Sequence, residues 1–357
     1  MAAQLDNFSR STPFQDPVWL NAWYASFTNR NDVEPLIALV SERKTSVPVA
    51  LVPLICRLHK GIRVIEFADL DLTDYNAPLL TDATPQDVEA ARAMWRDLKA
   101  TLRRGPEGAD LIRLRKMPAQ LSGGPNPFAQ LDDVGPCSLS GNVVTTGDDY
   151  DTYRYSLERT VRKELERSWR VFTRDPAAKF RIITDENEAL RILSCMEIQQ
   201  SRRMQELNVP FVLNGENCAA FFRRLVKGGI DSGYVVVTAL TVGEEIVATL
   251  LGIRNGPRYV MVRISNAGGK WSNCSPGRLI IERSMAAMHK DGVREFDFSI
   301  VEYPYKRRFG VARLPLFAIS AALSWRGWHF ALRDRAAYHL RRYPRLAYYV
   351  RRALRRR

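Results

Sequence analysis

Ser275, Pro276, Gly277 and Arg278 stand directly before a run, Leu279 to Met285, that reads as a helix. Serine suits the cap, where its hydroxyl accepts from an unpaired backbone N–H. Proline suits the first helical position, which needs no donor. Gly277 costs stability there, about 1 kcal/mol relative to alanine, so a bare face needs a reason. The first turn of a helix offers outward N–H groups and a dipole that favours negative charge. Glycine lets a phosphate approach that backbone, and Arg278 is available to pair with it. Ser275, Gly277 and Arg278 therefore form a candidate phosphate-binding turn. The alternative is that Gly277 packs against a neighbouring strand.

The second constellation is Arg294 to Gly310, "REFDFSIVEYPYKRRFG". Phe296, Phe298 and Ile300 alternate with Asp297 and Ser299, as in a strand with one apolar face. The strand end delivers Glu302, Tyr303, Tyr305 and Lys306 into a small space. In open α/β sheets, ligands bind beyond the carboxyl ends of strands. A lysine placed there steadies negative charge developing on a carbonyl oxygen, and Glu302, Tyr303 or Tyr305 moves protons. The alternative is an Asp297–Lys306 ion pair with a solvated face at Lys306, Arg307 and Arg308. Cys274 lies beside the cap, but no histidine is near it in sequence to activate a thiol nucleophile.

The elements that must hold these residues alternate between strand and helix. Trp19, Leu20, Trp23 and Phe27 fall at helical spacing, and residues 36–40 and 47–55 read as strands around a polar turn. Val88, Ala91, Met94, Trp95 and Leu98 form the stripe of an amphipathic helix, followed by a strand from Gly108 to Met117. Gly147 to Ser156 reads as a linker. Leu157, Val161, Leu165, Trp169 and Phe172 then mark another helix. Residues 234–265 read as a three-stranded meander turned at Gly243 and at Asn255-Gly256-Pro257. The interleaving predicts an α/β layer fold, duplicated in two halves of similar element order, with domains at 1–150 and 151–330 and a basic tail at 331–357.

The chain has 357 residues and a formal charge of +14, and residues 331–357 hold ten arginines against one aspartate. Tyr338, Leu340, Tyr343, Leu346, Tyr348 and Tyr349 interleave with those arginines. This composition suits an anionic membrane surface. It also suits nucleic acid, less strongly, or a solvated face over a packed stripe. Five scattered cysteines and four scattered histidines show no metal spacing and no disulfide framework, which predicts a metal-free protein in a reducing, cytoplasmic setting. The start lacks an apolar segment of the secretory kind. The longest apolar run, Leu314 to Trp325, is too short to span a bilayer.

The order of the 245–265 strands, Ser275-Pro276-Gly277-Arg278, the strand at Phe296 to Ser299 and Tyr305-Lys306 before Phe309-Gly310 resembles the GNAT-like acetyltransferases of the BioF-like, CelD-type group. Those proteins are related in design to the FemABX transferases, and the likeness runs from about Phe14 to Phe317. The resemblance implies two tandem GNAT-like domains with mixed central sheets and acyl-CoA, acetyl-CoA in the simplest case, bound in the second. Ser275, Gly277 and Arg278 would meet its diphosphate, Lys306 would orient the acyl carbonyl, and Glu302 or Tyr305 would move a proton. The acceptor implied is an amine or hydroxyl on a sugar, polysaccharide or lipid-linked precursor, in exopolysaccharide or cellulose synthesis. One acid of the group's usual run is missing before Pro304, where Val301-Glu302-Tyr303 stand. A FemABX-like transferase using aminoacyl-tRNA and a non-catalytic accessory subunit of a polysaccharide synthase are the competing readings.

Overall fold

The computed structural model describes residues 8–42, 45–105, 108–211, 213 and 215–343. Its strands, in chain order, are β1 (Val33–Ser41), β2 (Pro48–His59), β3 (Ile62–Phe67), β4 (Leu79–Leu80), β5 (Leu111–Pro118), β6 (Gln120–Leu121), β7 (Gly124–Pro125), β8 (Gly135–Thr145), β9 (Ala178–Ile183), β10 (Val235–Val242), β11 (Glu245–Asn255), β12 (Arg258–Asn266), β13 (Glu295–Ile300) and β14 (Ala312–Ala322). The helices are α1 (Pro17–Phe27), α2 (Val88–Arg104), α3 (Tyr150–Ser156), α4 (Arg159–Phe172), α5 (Glu186–Glu206), α6 (Glu216–Gly229), α7 (Pro276–Lys290), the single turn α8 (Pro304–Arg307) and α9 (Trp328–Arg342). The class is α/β with mixed sheets, as the alternating pattern predicts.

The chain forms two units, Met1–Ser140 with Leu314–Arg357, and Gly141–Arg313. In the first, β1, β2 and β3 make an antiparallel meander, and α2 crosses over to β5, which runs parallel to β3. The helices begin where short acceptors stand. Asp16 takes the Val18 N–H at 2.8 Å, and Asp87 takes that of Ala90 at 2.8 Å. Helix α2 then buries Ala91, Met94, Trp95, Leu98 and Leu102 in a core shared with β2, β3 and β5.

The second unit repeats the plan. β10, β11 and β12 form the meander, α7 crosses over, and β13 runs parallel to β12. α7 buries Leu279, Ile280, Ile281, Met285 and Met288 against Val247, Leu250, Tyr259 and Phe296. Helices α4, α5 and α6 complete this unit.

Two expectations change here. Gly147 to Ser156 is not an open linker: Asp149 accepts from the N–H groups of Asp151 and Thr152, each at 3.1 Å, and starts α3. The unit boundaries also depart from 1–150, 151–330 and 331–357. Residues 141–145 of β8 pair with β13 in the second unit, whereas β14 pairs with β5 in the first. Each parallel strand is thus flanked by the strand that follows the other one in the chain. Helix α9 begins before residue 331 and buries Phe330, Ala331 and Tyr338 in the first unit. The rest of the basic tail, 344–357, lies outside the described residues.

Candidate functional site

In the second unit β12 and β13 pair over only three residues, Arg258 to Val260 against Glu295 to Asp297, and then part. A bulge between Leu251 and Gly252 on the far side of β12 accompanies the parting. Beyond the parting point β12 runs on to Asn266, and the chain passes through a short 3-10 turn, Gly269–Cys274, into α7.

Ser275 does not cap α7 with its side chain. It sits in the left-handed region at φ 47°, and its hydroxyl accepts instead from an Arg278 guanidinium N–H at 2.9 Å. Its carbonyl takes the Arg278 and Leu279 N–H groups at 3.0 and 3.1 Å. Gly277 is open: a Cβ added there would meet the Asn266 amide nitrogen at 3.4 Å and nothing else within 4 Å. Packing against a strand therefore does not demand glycine. Arg278 is already engaged, because its Nη1 holds Glu164 of α4 at 2.8 Å, and Arg308 holds the same carboxylate oxygen at 2.8 Å. The hydrogen bond from Arg308 leads the causes that keep Glu164 below the usual carboxylate range. One carboxylate thus occupies two guanidinium groups beside the open helix turn.

Lys306 departs furthest from expectation. It is buried, and its Nζ donates to three carbonyls, those of Phe298 at 2.6 Å, Ile300 at 2.8 Å and Val301 at 2.8 Å. The chain at that strand end is strained, with Ser299 at φ 67° and Val301 at φ 70°. The ammonium holds the turn together. Asp297 does not pair with it. Fully buried, that carboxylate meets Arg258 and accepts from the Ser299 N–H at 2.7 Å.

Glu302 is exposed and contacts Arg307 at 3.1 Å and Arg313 at 3.6 Å, a poor setting for a base. Tyr305 stacks on Tyr303 with ring centres 6.0 Å apart. Burial, with Tyr303 beside it, pushes the Tyr305 hydroxyl up to about 12. It therefore stays protonated near neutrality. Cys274 is fully buried, gives its thiol to the Trp271 carbonyl at 3.1 Å, and is pushed up by burial, which removes it as a nucleophile.

A cavity of about 820 Å³ opens on the α5 side of β12, lined by Gln199, Gln200, Arg203, Phe211, Ser265 and Gly268 among others. It reaches Asn266 and Ser272, next to the start of α7, but neither Lys306 nor Glu302 lines it. Under its floor the Ser265 hydroxyl donates to Gln199 at 2.7 Å and meets Thr249 at 2.9 Å. Arg263, buried beneath, gives its Nε to Gln200 at 3.1 Å and lies 4.3 Å over the Phe222 ring. Burial brings its guanidinium down to about 10. Sequence reasoning passed over this network. Its signal was polar Thr249 and Ser265 in otherwise apolar strands, and adjacent glutamines in α5.

Residues 159–307 match the family model described as an acetyltransferase (GNAT) domain. The second unit has a GNAT-type acyltransferase fold. The solved structure of FemX aligns with a TM-score of 0.60 at 9% identity, over 88% of this chain and 94% of that one. A conserved protein of unknown function from Bacteroides thetaiotaomicron gives 0.55 at 11% identity, over 91% and 98%. The C-terminal domain of a putative lysylphosphatidylglycerol synthetase from Agrobacterium fabrum gives 0.54 at 10%, over 94% and 96%. These likenesses extend the fold relation across both units. No curated protein matches the chain in sequence. Among the described residues, no helix is long and apolar enough to cross a membrane, and no group of three or more histidine, cysteine or acidic side chains is placed to hold a metal.

Proposed function

We propose that the protein transfers an acyl group, acetyl in the simplest case, from coenzyme A to an amine or hydroxyl of a sugar, polysaccharide or lipid-linked precursor. One observation carries the donor side: the open face at Gly277, at the start of the crossover helix beside a parallel strand pair that parts after three residues. A diphosphate fits such a turn, since backbone N–H groups and the helix dipole both favour it. Ser275, Gly277 and Arg278 would hold it, with Glu164 giving way to the phosphate.

The acceptor nitrogen or oxygen attacks the thioester carbon and loses its proton to water or a base. The carbon–sulfur bond breaks, and coenzyme A leaves as the thiol. Tyr305 is suited to hydrogen-bond the departing sulfur without ionising. Lys306 acts in this reading as a positioning residue that fixes the strand end, and Glu302 is too exposed and too well paired to serve as the base. The neutral polar floor of the cavity, with Ser265 and Gln199, suits a hydroxyl-rich acceptor. Exopolysaccharide or cellulose synthesis is the setting proposed for it.

Thermal unfolding with a panel of acyl-CoAs tests the donor. Stabilisation by acetyl-CoA or another acyl-CoA supports the reading, and stabilisation by aminoacyl-tRNA alone replaces it with the FemABX-like alternative. The three carbonyls on Lys306 favour a second reading, a non-catalytic subunit. Coenzyme A binding without acyl transfer to any hydroxyl or amine acceptor would establish that one.

A further inference from the structure

In the first unit, helix α9 turns its most apolar outward side chains to solvent. Its inner face is filled by Phe330, Ala331 and Tyr338. Outside, Trp325 is 85% exposed and Trp328 63% exposed, and Leu332 and Tyr343 are also exposed. Positions 328, 332, 336 and 339 follow helical spacing and form one stripe along α9, with Trp325 in the 3-10 turn that leads into it and Tyr343 directly after its end. The His339 and Tyr343 rings close its far end, 5.0 Å apart.

The charge around the stripe is mostly positive, with exposed Asp133 the acid beside it, paired to Arg335 at 2.7 Å. Arg326, Arg333, Arg335 and Arg342 flank it. Arg326 reaches the Gly61 carbonyl at 2.6 Å, which brings the hairpin at exposed Lys60 alongside. Arg103 reaches the Ala322 carbonyl at 3.2 Å and adds the basic end of α2. Asp334 is the sole acid from residue 323 to 343; its Oδ2 turns inward to Arg113 at 2.7 Å and Ser320 at 3.1 Å, and its Oδ1 meets Arg333 at 3.2 Å. Residues 344–357 add six arginines and no acid in sequence.

We infer that this face docks on an anionic lipid bilayer surface. Tryptophan and tyrosine settle at the headgroup level, where an apolar ring and a polar edge are both accommodated. Arginines around them are drawn to an anionic surface. The excess of positive charge around exposed tryptophans is what selects this occupant, because an anionic bilayer surface attracts both at once. The inference is independent of the acyl-transfer reading, because it needs neither donor nor acceptor.

The test is sedimentation of the full-length protein with vesicles of phosphatidylcholine, alone or mixed with phosphatidylglycerol. Binding to the mixed vesicles is expected. It should weaken about tenfold or more for phosphatidylcholine alone and for the W325S/W328S variant. An R326E/R333E variant should lose binding in the same way, which guards against a folding defect in the first. Equal sedimentation of parent and W325S/W328S overturns the inference. So does failure of the parent to bind mixed vesicles, including the case where it retains single-stranded RNA instead.

Discussion

Lys306 shows how one side chain changes meaning when its protons are followed to their acceptors. At the end of a strand a lysine is well placed for a carbonyl oxygen, and here it holds three carbonyls of its own chain. Removing the ammonium takes a shared donor from the three carbonyls, of which that of Val301 keeps Asn142 at 3.3 Å, and loosens the left-handed Ser299 and Val301. Lys306→Ala should therefore destabilise the protein by about 3 kcal/mol or more. Urea unfolding would show a lower midpoint with little change in slope, and an unchanged midpoint would refute the structural role. Glu164 makes a different case at the same scale. Its carboxylate pairs with Arg278 and Arg308 beside the turn proposed for the diphosphate. It is half-exposed, so each pair is weak in water. Glu164→Gln should raise coenzyme A affinity roughly two- to fivefold by calorimetry at neutral pH. A fall in affinity would mean that Glu164 helps to build the site.

In the proposed reading donor binding turns on helix α7, and Gly277 separates stability from that role within it. A Cβ there meets only the Asn266 amide at 3.4 Å, so alanine fits and brings the helix up to about 1 kcal/mol. The same methyl stands where a phosphate would approach the backbone. Gly277→Ala should raise the unfolding midpoint while lowering coenzyme A affinity about tenfold. Unchanged affinity, measured alongside the stability gain, would remove the diphosphate from this turn. Much at this scale was legible in sequence. The helical stripe of α2, the meander of β10 to β12 and the strand–helix–strand order around α7 all follow from spacing and turn residues. What stayed hidden depends on partners far along the chain. Glu164 lies 114 residues from Arg278, and Ser265 meets Gln199 across 66. The Ser275 hydroxyl was expected to cap the backbone, but a left-handed φ turned it to Arg278.

The chain as a whole is divided by strand exchange, which no local pattern announces. Strand β14 follows β13 in the chain and yet pairs with β5, and Ile319, Ala321 and Leu323 enter the first unit's core. Residues 141–145 follow the first unit and pair with β13. A cut placed by composition near residue 150 would strip this strand from the second unit, and an end near 330 would append β14 without its partner β5. The fragment 141–313 should accordingly unfold in one cooperative transition, while the fragment 151–330 should aggregate or melt broadly. A chain ending at residue 313 should keep the second unit and lose the first. Its bared β5 edge and missing core side chains together exceed the few kcal/mol by which a domain of this size is stable. Hydrogen exchange read peptide by peptide would distinguish the two outcomes. Protection retained over 235–300 and lost over 48–118 fits the exchange, and protection surviving in both stretches would show that β14 is dispensable to the unit it joins.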